Sequence, residues 1–162
     1  MLRRSFTSAF LFCIALCLPA AGVLAEDSSG NPSDESVNVL LITSGCCHDY
    51  DFQTKAMQLA MKKHGVDAVW TVVSEGGKGT TAEIDFYKDP KWANGFDVVI
   101  HNECFANTSN PEYIRSVTAP HHAGTNAVVI HCAMHTYRAA EIDDWRKLLG
   151  VTSRRHEHQS NY

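Results

Sequence analysis

The chain has 162 residues, 44% of them apolar, with 14 Lys and Arg against 18 Asp and Glu and a formal net charge of −4. That length suits one ordinary domain and is too short for an eightfold β/α barrel. The acidic balance argues against nucleic acid as a partner and against binding to an anionic membrane surface. Nine histidines are the compositional departure. Neutral imidazoles near pH 7 serve as metal ligands and proton-transfer groups, so their placement carries the functional question.

In chain order, Met1-Leu2-Arg3-Arg4 is a short basic start, Phe10 to Leu18 an apolar run, and Val23-Leu24-Ala25 offers small residues before Glu26. The pattern predicts a cleaved signal peptide over 1–25, hence a periplasmic or secreted protein with no stable membrane insertion after cleavage. Without Arg3 and Arg4, 12 basic residues face 18 acidic ones and the net charge becomes −6. Residues 26–36, polar and bearing Gly, Pro and Ser, read as a flexible linker. Four cysteines follow the leader: Cys46, Cys47, Cys104 and Cys132. They do not form the spaced framework of a stapled small domain, and a bond between the neighbours Cys46 and Cys47 is strained. Mostly free or partly buried thiols are expected, with one bridge left open.

Val37 to Thr43 is a short β-branched, apolar run that reads as a buried strand. After the loop Ser44 to Asp51, Asp51 is placed to cap a helix over Phe52 to His64, with Gly65 as its stop. Ala68 to Val73 is the second predicted strand. Ser74 to Thr81 is a Gly-rich loop, read as solvated because no clear helix opens on it. Asp97 to Glu103 is the third strand, Pro111 begins a helix, and Ala127 to Ala133 is the fourth strand. A helix over Tyr137 to Leu149 ends at Gly150. Strands alternating with helices predict an α/β fold, a flavodoxin-like doubly wound parallel sheet. No dinucleotide or P-loop fingerprint is present, so no nucleotide cofactor is expected.

Ligands of open parallel sheets bind beyond the carboxyl ends of the strands. Three such ends carry Cys46-Cys47-His48-Asp49, His101-Asn102-Glu103-Cys104 and His131-Cys132-Ala133-Met134-His135. His48, Asp49, Glu103 and His131 are therefore the candidate acid/base residues, and Asn102, Tyr137 and Arg138 the candidate substrate contacts. His131 and His135 would share one face if the chain is helical there. With His48, or else Glu103, as third ligand they make a candidate set for a divalent metal, zinc first among them. Two other readings stay open: His101 and His131 as backbone-bonded packing residues, and Cys132 as a nucleophile activated by a neighbouring histidine. His156-Glu157-His158 is a further ligand cluster or a polar tail.

The segments VLLITSGCCHDY (39–50), DVVIHNE (97–103), AVVIHCAMH (127–135) and DDWRKLLGV (143–151), in that order, resemble the trehalose-utilisation (ThuA-like) family of the class I glutamine-amidotransferase-like superfamily. The resemblance covers nearly all of 37–162 and implies a flavodoxin-like domain acting on disaccharides or oxidised sugars by hydrolase- or isomerase-like chemistry. A non-catalytic carbohydrate-binding or interaction module, or an inactive truncated copy, are the alternatives. His48 and Asp49 match the family's first loop, His131 the histidine ending its fourth strand, and Trp145 and Gly150 its Trp…Leu-Gly segment. The amidotransferase triad is not recoverable, so glutaminase activity is not expected. The family's domains continue beyond the equivalent of Tyr162. A C-terminally incomplete sheet is therefore expected, whose uncovered edge would favour pairing, a homo-oligomer included.

Overall fold

The computed structural model describes residues 36–152. The predicted signal peptide, the linker up to residue 35 and the 156–158 cluster lie outside the described residues. Within them the order is β1 (Val37–Gly45), α1 (Tyr50–Lys63), β2 (Ala68–Val73), a 3-10 turn (Asp85–Lys88), β3 (Val98–Cys104), α2 (Pro111–His122), β4 (Ala127–Val129), a second 3-10 turn (His131–His135) and α3 (Asp144–Leu149). The four strands form one sheet in the order β2-β1-β3-β4. Every pairing is parallel, so this is an α/β fold with flanking helices. No helix among the described residues is long and apolar enough to cross a membrane.

The unbroken apolar run of β1 is explained by burial on both faces. Alternation sends Leu40 and Ile42 into one core and Val39 and Leu41 into the other. The larger core adds Ile114 and Val117 of α2, Trp145 of α3, and Tyr87 and Trp92 from the β2–β3 connection. The smaller one is covered by Met57 and Met61 of α1. That cover is thin: α1 has no buried residue, and Phe52 and Leu59 are each 67% exposed.

Several boundaries differ from the sequence expectation: β1 runs on to Gly45 and β3 spans Val98–Cys104. Helix α1 starts before Phe52 because Asp49, not Asp51, is its cap and accepts from the Phe52 N–H at 2.9 Å. Strand β4 stops at Val129 and the chain turns at His131, whose φ is 39°. The predicted helix over 137–149 shrinks to α3. Before it, Tyr137 and Ala139 give their N–H groups to the carbonyls of Phe105 and Ala106, while Arg138 and Ala140 make only short turn bonds, so no α-helix forms over this backbone. Gly150, at φ 70°, ends α3 as expected.

Candidate functional site

Strand β1 leads into the site through Gly45. Its φ is 105°, and a Cβ there would lie 2.4 Å from the Cys104 carbonyl oxygen, so only glycine allows this approach to β3. Cys46 and Cys47 then form a disulfide between neighbours, the single bridge that the sequence leaves open, while Cys104 and Cys132 are free thiols. The left-handed conformation of Cys47, φ 85°, is the backbone departure that goes with it. The loop is pinned on its far side, where Tyr50 donates from its hydroxyl to the Cys46 carbonyl at 2.6 Å. Burial raises the Tyr50 pKa, and the neighbouring Cys104, Cys132 and Glu103 add to the rise.

With the loop held between this contact and the Asp49 cap, His48 is aimed across the sheet ends. Its Nε2 lies 3.0 Å from Sγ of Cys132. The His48 and His131 rings meet edge-on with centroids 5.2 Å apart. Strand β4 places these partners: Ile130 gives a last sheet-like bond to the His101 carbonyl at 2.9 Å, and the turn at His131 then leaves that imidazole exposed and Cys132 buried. A non-glycine residue at positive φ costs about 1–3 kcal/mol and marks a place where the surrounding structure dictates conformation.

His48, His131 and Cys132 present one nitrogen or sulfur each, all within 4.8 Å of one another, a group that can hold a metal ion. Ligand atoms of tetrahedral zinc, at bonds of about 2.0–2.3 Å, lie roughly 3.6 Å apart. The group is compatible with that spacing, His48 Nε2 and Cys132 Sγ already lying 3.0 Å apart. His135 of the expected set is not in this group. The segment is a 3-10 turn with three residues per turn, so positions four apart point about 120° away from each other. Cys132 takes its place, and His135 is buried.

The remaining predicted residues are dispersed by the alternation of β3. Asn102 faces α1 and is buried, donating to Gln53 Oε1 at 3.0 Å and Thr43 Oγ1 at 3.3 Å. His101 and Glu103 face the larger core, both wholly inaccessible. Glu103 Oε1 accepts from the Tyr87 hydroxyl at 2.9 Å and lies 3.0 Å from His101 Nδ1, while His101 Nε2 lies 2.9 Å from His121 Nε2. His121 Nδ1 in turn bonds the Thr125 carbonyl at 3.0 Å. The open reading of His101 as a packing residue is thus half met: it packs, but against side chains. Tyr137 is buried among Tyr113 and Trp145. Arg138 is exposed, and its charge acts on the buried Cys104 thiol.

That thiol ties the two strand ends together. Cys104 Sγ lies 3.9 Å from Cys46 Sγ, and Cys104 shares a hydrogen bond with Cys132. Burial, with Cys132 beside it, pushes its pKa up to about 12, against a smaller downward pull from Arg138. Outward of these groups lies an open cleft of about 560 Å³, bordered by Ser44, Cys47, His48, Asp49, Asp51, Ser74 and Lys78. The Gly-rich loop read as solvated therefore forms one wall. It is anchored there by Gly77, whose carbonyl accepts from the Ser44 hydroxyl at 2.8 Å and the Gly45 N–H at 2.9 Å. Comparisons with protein-family models, with curated proteins and with solved structures find no match to this chain.

Proposed function

We propose that this chain is an exported ThuA-like protein that processes sugars, taking a small hydroxyl-rich molecule in the cleft beside His48. The observation that carries the reading is the convergence of His48, His131 and Cys132, with His48 bordering that cleft. Carboxylate, hydroxyl and ammonium groups border it, a mixture suited to sugar hydroxyls and poorly suited to apolar ligands. The strand order β2-β1-β3-β4, with the site beyond the carboxyl ends, supports the flavodoxin-like assignment. The ordered motifs quoted above support the family, and the pattern of residues 1–25 supports export.

His48, His131 and Cys132 would hold zinc, whose preference for imidazole and thiolate matches this set. Bound there, it would polarise a carbonyl or sugar oxygen, or acidify a water. Asp49 is spent as a helix cap and orients the loop that carries His48, so it acts as a positioning residue. Glu103 is sealed from the cleft and supports β3 from behind.

The test is elemental analysis of the purified chain after zinc loading and dialysis, with calorimetric titration of a panel of mono- and disaccharides. The expected result is about one zinc per chain, lost in His131→Ala, and sugar binding weakened by the same substitution. No retained zinc together with unaltered sugar binding in His131→Ala would overturn the reading.

A further inference from the structure

The four cysteines of the described residues lie in one line across the strand ends. Cys47 is exposed and bonded to Cys46. Cys46 Sγ lies 3.9 Å from the free thiol of Cys104. Cys104 bonds the free thiol of Cys132, and Cys132 Sγ lies 3.0 Å from His48 Nε2. The backbone holds this line in register: Gly45 pairs with Cys104 along β1 and β3, and the Cys46 N–H donates to the Cys104 carbonyl at 3.4 Å. A disulfide beside two free thiols and an imidazole contains every reactant that thiol–disulfide exchange requires.

We propose that Cys46, Cys47, Cys104 and Cys132 form a thiol–disulfide exchange site whose external substrates are small disulfides, taken at Cys47. In the first step Cys104 Sγ attacks Cys46 Sγ. The Cys46–Cys104 bond forms, the Cys46–Cys47 bond breaks, and the electron pair leaves on Cys47. The proton that Cys104 gives up ends on the Cys47 thiolate, which lines the cleft. One disulfide and two thiols stand on each side, so no outside oxidant or reductant is consumed. The two sulfurs must close from 3.9 Å to about 2.05 Å, within the reach of side-chain rotation.

The exchange also releases a constraint. Cys47 sits at φ 85° while tied to its neighbour, a region disfavoured for an L side chain, and transfer of the bond to Cys104 frees it to relax. The freed thiol is exposed beside the cleft. In the second step its thiolate attacks a small disulfide, forming a mixed disulfide on Cys47 and releasing one thiolate, which takes up the proton that Cys47 loses.

The test uses the full chain in a chelating buffer, which separates it from the zinc experiment. Native protein is incubated with iodoacetamide, or with glutathione disulfide as the probe, then digested without reduction and mapped by mass spectrometry. The expected map places the label or the glutathione on Cys47, in molecules that carry a Cys46–Cys104 bond. Cys104→Ser should retain Cys46–Cys47 and slow labelling of Cys47 by about tenfold or more. A native map with Cys46–Cys47 as its sole linkage and Cys47 unlabelled would overturn the proposal, and so would equal labelling of Cys47 in folded Cys104→Ser. Should that variant fail to give the native circular dichroism spectrum, the wild-type map decides alone.

Discussion

Replacing Tyr87 by Phe tests what the Glu103 carboxyl does. Between the Thr125 carbonyl and Glu103 Oε1 run three hydrogen bonds through His121 and His101, and each needs one hydrogen. Both His101 and Glu103 are wholly buried, so these bonds are what compensates them for lost hydration. Tyr87 adds the outer donor to Glu103 Oε1, while Oε2 has no partner. Deleting the hydroxyl leaves the ring packed against Trp92, 4.8 Å away, and so removes a hydrogen bond without opening a large cavity. A buried bond to a carboxyl of this kind contributes about 1–3 kcal/mol, roughly 4–10 °C in Tm for a domain of this size. Urea unfolding followed by circular dichroism measures it, with zinc uptake as the control. Because Glu103 is inaccessible from the cleft, uptake should be unchanged. A loss below about 0.5 kcal/mol, or a loss of zinc at unchanged stability, would refute the view of Glu103 as an internal brace.

Three further outcomes are expected. Asp49→Ala removes the α1 cap and should cost about 0.5–2 kcal/mol, with Asp49→Asn recovering most of it; equal stability of Ala and wild type in urea would contradict the cap. Gly45→Ala drives a Cβ into the Cys104 carbonyl, so low soluble yield or a Tm lowered by many degrees is expected, and a wild-type melting curve would contradict the close approach. His121 has its pKa lowered, chiefly by burial, with the Thr125 carbonyl opposing and His101 reinforcing the drop. The unfolded chain therefore binds its proton first as pH falls below about 6.5. Stability from this group should be level above that pH and decline below it, and His121→Gln should flatten the decline in melting curves between pH 7.5 and 5.5.

What could be read in advance followed the physics of each segment. Strand β2 over Ala68–Val73 and the Pro111 start of α2 matched their expected places, because strand patterning and a proline at the first helical turn are local signals. The rim where β1 and β4 end was also legible, since sheet polarity fixes which loops meet. The metal-capable set was not. It depends on a single turn at His131, where no glycine announces a positive φ, and that turn exchanges the expected His135 for Cys132. The predicted 137–149 helix failed for a tertiary reason: the loop after β3 captures the N–H groups of Tyr137 and Ala139. Periodicity cannot register a competitor thirty residues away in sequence.

The alternation of β3 explains why histidine and carboxylate are abundant here yet only part of them reaches the cleft. Successive residues point to opposite faces, so His101 and Glu103 are committed together to the inner network, and Asn102 to Thr43 and Gln53 under α1. Cys104, at the strand's end, is the first of the run to meet the rim. The buried groups still bear on the site, because Thr136 donates from its hydroxyl to the Glu103 carbonyl at 2.8 Å and accepts from the Phe105 N–H at 3.0 Å. That pair of bonds clamps the turn carrying His131 and Cys132 onto the end of β3. The rim geometry is therefore held from inside. A substitution that loosens the Glu103 backbone should disturb His131 and Cys132, whereas one that only trims its carboxylate should not.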